Sequence, residues 1–188
     1  MNAQEIFTER VRICAKRLSE SGAAALSGLY DLTSQRLLRY AVTITRNQHD
    51  AEDAVQAVLV KVSEQPDSLL QCDRPWPYLL RMVRNESLVI LRRRKGWSQI
   101  LNLSDLVTRR SVDELQREET HRAVWSALRD LPSKQSEVVV LKIWEEMTFA
   151  EIAHVLDITD STAASRYRYA LEKLTIKLRA IQKPESVL

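Results

Sequence analysis

Glycine occurs only three times and proline five times in 188 residues. A β-rich fold needs turn formers about every 8–12 residues, so that scarcity argues for long helices instead. Cysteine occurs twice, as Cys14 and Cys72, without a CxxC partner. That excludes a disulfide framework and predicts free thiols in a reducing compartment. The three histidines, His49, His121 and His154, lack metal-ligand spacing. No apolar run approaches about 18 residues, and the opening MNAQEIFTERV has no signal-peptide core. A cytoplasmic protein with no membrane insertion is expected. The chain has no Gly-rich phosphate loop, no HExxH and no GxSxG. No enzyme activity, catalytic residue, cofactor or metal is therefore expected.

What is present is ordinary for a globular protein: 45% hydrophobic and 28% charged residues. The net charge of +3 is too mild for a polycation. Any affinity for nucleic acid must come from local clusters.

The most informative stretch is Thr148 to Leu178. Thr148 and Glu151 have the spacing of a capping box. Phe149, Ile152, Ala153 and Leu156 follow at helical period, and Asp157 to Asp160 breaks it, with Ile158 expected to plug inward. A second helix starts near Ser161 and runs through Leu171, Leu174 and Leu178. Small residues (Ser161, Thr162, Ala163, Ala164, Ser165) open it, and Arg166 and Arg168 follow. A recognition helix needs such a start, because its N-terminal end approaches base edges while its flanks meet phosphates. An ordinary helical hairpin with a solvated basic face is the plainer alternative.

Upstream, residues 3–19 form an amphipathic pattern with Ile6, Phe7, Ile13, Cys14 and Leu18 inward. Residues 23–46 follow as a bundle helix with Leu29, Leu32, Leu37, Tyr40, Ala41 and Ile44 on its apolar face. Asp50 is expected to cap a third helix reaching Glu64, which carries Glu52, Asp53 and Gln56 on its outer side. Acids at a helix N-terminus also have a purely stabilising explanation. A Pro-bounded connection spans 65–75, with Leu69 and Leu70 tucked inward. A fourth helix spans Trp76 to Arg94. Its outer face carries Arg81, Arg84, Asn85, Arg92 and Arg93 near Trp76, Tyr78 and Trp97. Basic residues with aromatics suit single-stranded or melting DNA; a solvated charge run is the alternative. Periodicity fails from Gly96 to Arg110, which predicts an interdomain linker. A Ser111–Glu114 capping box opens a helix to Leu131, and Ser133 caps the next, which leads to the helix-turn-helix. The expectation is an all-α protein of two small helical domains, 1–95 and 111–183, joined by a flexible linker, 96–110.

DAEDAVQAVLVKV (Asp50 to Val62), LLRMVRNESLVILRRRK (Leu79 to Lys95) and the stretch Leu128 to Leu174 stand in a fixed order. Together they closely resemble the extracytoplasmic-function sigma factors of bacterial RNA polymerase. The resemblance implies a region 2-like bundle, a region 4-like helix-turn-helix domain and promoter-specific transcription initiation. It implies polymerase docking by Asp50, Glu52, Asp53 and Gln56. It implies recognition and melting of the −10 element by Arg81, Arg84, Asn85, Arg92 and Arg93, with the 65–75 loop holding a flipped base. It implies −35 recognition by Ser161, Thr162, Ser165, Arg166 and Arg168. The partners implied are core RNA polymerase (clamp helices and flap) and promoter DNA, and an anti-sigma factor could bury the DNA-binding faces. Val89, Tyr78, Ala164 and Ser161 depart from the usual family pattern, which bears on promoter sequence and melting strength and not on fold. Two other readings stay open: a stand-alone dimeric operator-binding regulator, and a helical interaction protein without DNA contact.

Overall fold

The computed structural model describes residues 3–101 and 119–182. Apart from short connections these residues are helical, with no strand among them. The chain divides into two compact units, Met1–Arg110 and Ser111–Leu188.

In the first unit, α1 (Ala3–Ser21) leads through a 3-10 turn (Gly22–Ala25) into α2 (Leu26–Thr45). Then come α3 (Gln48–Glu64), the single turn α4 (Asp67–Leu70) and the long α5 (Pro75–Leu101). α2, α3 and α5 pack on one another as a three-helix core, and α1 lies against α2, α4 and α5. Leu29, Leu37, Tyr40 and Ala41 of α2 are fully buried with Ala51, Ala54 and Val58 of α3 and Leu79, Leu80 and Val83 of α5. Thr33, Thr43 and Thr45 are buried as well. Each donates its hydroxyl to the carbonyl one turn earlier (2.7, 2.9 and 3.0 Å), which satisfies the buried polar group.

Several expectations need correction. Asn47, not Asp50, caps α3: its Oδ1 accepts from the Asp50 amide at 3.0 Å. Asp50 thereby becomes a first-turn acid. In α1 the buried residues are Val11, Ala15 and Leu18, whereas Ile6 and Ile13 are each 44% exposed. Ile6 and Ile13 are a heptad apart, on the flank of the i, i+4 ladder that meets the core. Of the two leucines in the 65–75 connection, Leu69 is buried and Leu70 exposed. α5 does not end at Arg94; it passes Gly96 to Leu101. One glycine disfavours a helix by only about 1 kcal/mol.

Trp76 is the other correction. It is 1% exposed and packs edge-on against Phe7, ring centroids 4.9 Å apart. The Arg36 guanidinium lies over both rings, 3.7 Å from the Phe7 centroid and 5.2 Å from that of Trp76. Trp76 is thus core, closed to any base. This cluster joins α1, α2 and α5, and Arg36 also donates to Gln4 Oε1 at 2.9 Å. Arg36→Ala is expected to destabilise the first unit by about 1–2 kcal/mol, read as a lower midpoint in chemical denaturation.

In the second unit, α6 (Glu119–Asp130), α7 (Ser133–Ile143), α8 (Phe149–Leu156) and α9 (Asp160–Gln182) enclose their own core. Ala127, Leu128, Leu131, Val139, Ala170 and Leu174 form it, with Trp125 and Trp144 packed alongside. Pro132 precedes α7 and Ser133 is its first helical residue, so Ser133 is not a side-chain cap. Glu137 and Glu145 are buried carboxylates that no pattern announced. The expected Ser111–Glu114 capping box lies outside the described residues.

Candidate functional site

Three surfaces carry the candidate residues. The first is the outer face of α3. Asp53 and Gln56 are exposed there, and Glu52 is exposed beside them. Glu52 accepts from Gln48 Nε2 at 2.7 Å and has His49 at 3.8 Å. Asp50 behaves differently. Its side chain is 20% exposed and takes a salt bridge from Arg94 of α5 at 2.9 Å. It ties α3 to α5 while Asp53 and Gln56 look outward. Val60, one turn beyond Gln56, is 46% exposed on the same helix. The i, i+4, i+8 series Glu52, Gln56, Val60 could have revealed it, because a valine there breaks an otherwise polar stripe.

The second surface is α5. Arg81, Asn85 and Arg92 fall at i, i+4 and i+11 and share one face. Arg81 is half-buried, Asn85 and Arg92 are exposed, and Tyr78 is half-buried one turn before Arg81. Arg84 is half-buried and engaged within the protein. Arg93 is exposed but turned about 100° from Arg92 around the helix. Glu86, on that flank, pairs with Lys61 of α3. The side chain of Trp97 lies outside the described residues.

The third surface is the α8–α9 hairpin. The capping box forms as its spacing requires: the Thr148 amide donates to Glu151 Oε2 (2.8 Å) and the Glu151 amide to Thr148 Oγ1 (3.3 Å). Thr148→Ala is expected to lose about 1 kcal/mol, measured as a lower denaturation midpoint for the second unit. α8 ends at Asp157, in the left-handed region at φ 55°, and the Ile158 amide closes back on the Ala153 carbonyl at 3.1 Å. Ile158 itself is half-buried. Only Asp157, Ile158 and Thr159 separate α8 from α9. That connection is as short as a helix-turn-helix requires.

Thr159 opens α9. Its Oγ1 accepts from the Thr162 amide at 3.2 Å and is hydrogen-bonded to the hydroxyls of Ser161 (3.0 Å) and Thr162 (2.8 Å). Thr162 therefore belongs to the cap cluster. Ser161, Ser165 and Arg168 fall at i, i+4 and i+7 and form the exposed stripe, while Thr162 and Arg166 sit half-buried on the adjoining flank. The Arg168 guanidinium lies 5.1 Å from the Tyr169 ring centroid. Ala163 is fully buried and Ala153 nearly so, which lets α9 approach α8 closely. Leu171 is 37% exposed, and Tyr169 and Ile176 are exposed too. A straight helix of 3.6 residues per turn carries Leu171 away from the face that holds Ala170 and Leu174. Among the described residues no group of three His, Cys, Asp or Glu could hold a metal, and no helix is long and apolar enough to cross a membrane.

A hairpin of this kind occurs in many proteins; a second unit with its own polar and basic faces narrows the choice. Residues 29–96 match the family model for sigma-70 region 2, and residues 121–174 match that for sigma-70 region 4. The two regions appear in order and together cover well over half of the chain. The chain belongs to the extracytoplasmic-function sigma factors. It is similar to the ECF RNA polymerase sigma factor SigL of Mycobacterium tuberculosis, 26% identical over 162 residues, covering 85% of this chain and 92% of that one. The RNA polymerase sigma-E factor of Streptomyces avermitilis is 29% identical over 161 residues, covering 79% and 86%. In fold, this sigma factor is similar to RpoE of Bartonella quintana, solved with the anti-sigma factor NepR (TM-score 0.68, 24% identity, 80% of this chain and 94% of that). It is also similar to CnrH, solved with the cytosolic domain of CnrY (TM-score 0.62, 22% identity, 91% and 98%). Family membership makes this sigma factor a component of promoter-directed transcription initiation by RNA polymerase. α1 precedes the residues matched as region 2.

Proposed function

We propose that the protein docks on core RNA polymerase through the outer face of α3, with Glu52, Asp53 and Gln56 as contacts and Asp50 holding α3 to α5. Arg81, Arg84, Asn85, Arg92 and Arg93 of α5 then meet the −10 element and hold it melted, with the 65–75 segment taking an extruded base. Unpairing is worth a few kcal/mol per base, so melting requires somewhere for the base to go. Ser161, Thr162, Ser165, Arg166 and Arg168 of α9 read the −35 element. The observation that carries the proposal is the separation of labour within one small bundle. α3 presents an acidic and amide stripe, and α5 presents a stripe of Arg81, Asn85 and Arg92. An anion-binding face and a protein-binding face are thus offered by neighbouring helices. The protein works in the cytoplasm, where polymerase is, and does no covalent chemistry itself. An anti-sigma factor is the regulator we infer, since RpoE and CnrH were each solved with a partner protein. The exposed Tyr169, Leu171 and Ile176 of α9 offer it apolar surface.

The test is gel filtration of the purified chain with bacterial core RNA polymerase, followed by transcription from a promoter library. A stable complex that initiates at a shared −35 and −10 pattern is the expected result. A well-folded chain that forms no complex, yet selects a palindromic operator alone, would replace this reading with that of a stand-alone regulator.

A further inference from the structure

α1 grips the segment 67–73 at both ends. Arg12 Nη2 donates to the Asp73 carbonyl at 2.8 Å, and Ser19 Oγ donates to Asp67 Oδ1 at 2.7 Å. Leu18 of α1 and Leu69 of α4 are both fully buried where the two helices pack. The far end of α1 is fixed by the Phe7–Trp76 contact and the Gln4–Arg36 bond. Apart from the burial of Leu69, the 67–73 segment's own bonds are short-range, including Ser68 Oγ to the Gln65 carbonyl (2.7 Å) and Cys72 Sγ to the Arg74 carbonyl (3.6 Å). Its own backbone bonds run from Ser68 to Gln65 (3.1 Å), Leu69 to Pro66 (3.1 Å) and Gln71 to Asp67 (2.9 Å). Past Gln71, the bond that reaches Asp73 comes from Arg12. A segment with so few internal bonds opens locally unless something outside it closes the ensemble. A pocket discriminates between bases better when it is already shaped as the base arrives.

We propose that α1 is a positioning element for −10 recognition, with Arg12 and Ser19 as its positioning residues. They hold the 67–73 segment in the shape that accepts the extruded base. This rests on the reading of the 65–75 segment given above. Each bond is solvent-exposed and weak by itself, so the effect is sought in the pair.

The experiment uses the full chain in holoenzyme and a promoter library randomised across the −10 element. With Arg12→Ala and Ser19→Ala combined, the ratio of preferred to disfavoured base at the extruded position is expected to fall about tenfold. Amide exchange across Ser68–Asp73 should rise by a similar factor, while exchange in α3 and α5 and the yield of polymerase complex stay unchanged. Arg12→Lys keeps a donor and should restore most of the preference. Gln71→Ala with Asp73→Ala alters the segment's own side chains and serves as the control. If that control shifts base preference and the α1 pair does not, the positioning role is overturned alone. If neither shifts it, the segment does not read bases, and both readings fall. Unchanged exchange in the α1 pair would overturn the tether directly.

Discussion

Asp53→Arg combined with Gln56→Ala is expected to weaken binding to core RNA polymerase by at least about a hundredfold, with folding intact. Both side chains stand on the exposed face of α3, away from Ala51, Ala54, Val55 and Val58, which carry its packing. Surface substitutions off the packing face change stability by about 0.5 kcal/mol or less. Loss of an acid near the helix N-terminus adds a few tenths. A reversed charge facing a basic partner instead costs several kcal/mol at the interface, and about 2.7 kcal/mol is already a hundredfold in Kd. The unfolding midpoint and the polymerase Kd should therefore separate cleanly. Asp50→Ala is the instructive contrast. It removes the salt bridge to Arg94, so its effect should appear in stability of the first unit as much as in docking. Titration of labelled protein against core polymerase decides the matter. A Kd unchanged by the double substitution would move the docking surface off this face of α3.

The contrast between Asp53 and Asp50 also shows what could be read from sequence. Both are acids in the first two turns of one helix, and nothing in their spacing separates them. The difference comes from Arg94, forty-four residues later, which α5 brings alongside. Local patterns held where the interaction was local. The Thr148–Glu151 box spans one turn and formed with both its bonds. The buried faces of α2 and α3 followed their period because one stripe of each meets the bundle. An aromatic near arginines, as Trp76 is, looks the same in sequence whether it stacks on a base or packs edge-on against Phe7. Only the packing of α1 against α5 distinguishes the two. The phase of α1 differs from its hydrophobic pattern for a related reason. Ile6 and Ile13 are more hydrophobic than Ala15, yet it is Ala15 that permits close approach and is fully buried. The path of α5 past Gly96 is a third case, in which a long helix outlasts a weak local stop signal.

Holoenzyme affinity for promoter DNA is expected to fall steeply with salt, and part of that slope should belong to five arginines of this chain. Arg81, Arg92 and Arg93 would face a melting strand, where each phosphate contact contributes about −0.7 to the slope of log K against log salt. Arg166 and Arg168 would face duplex, at about −0.9 each. Their sum is about −4, so raising salt from about 50 to 200 mM would cost roughly 250-fold in affinity from these contacts alone. Arg84, engaged within the protein, is left out of that sum. Polymerase adds contacts of its own, and the informative quantity is the difference between variants. Arg166→Gln with Arg168→Gln should flatten the slope by about 2. A slope left unchanged, with preference lost at one base pair, would instead place these guanidinium groups on guanine edges. Geometry favours a division between the two. Arg168 lies on the exposed stripe with Ser161 and Ser165, whereas Arg166 sits on the half-buried flank beside Thr162. Single substitutions should accordingly differ, with Arg166→Gln moving the slope and Arg168→Gln moving the base preference as well. Equal effects from both would mean that the two faces of α9 meet the same strand.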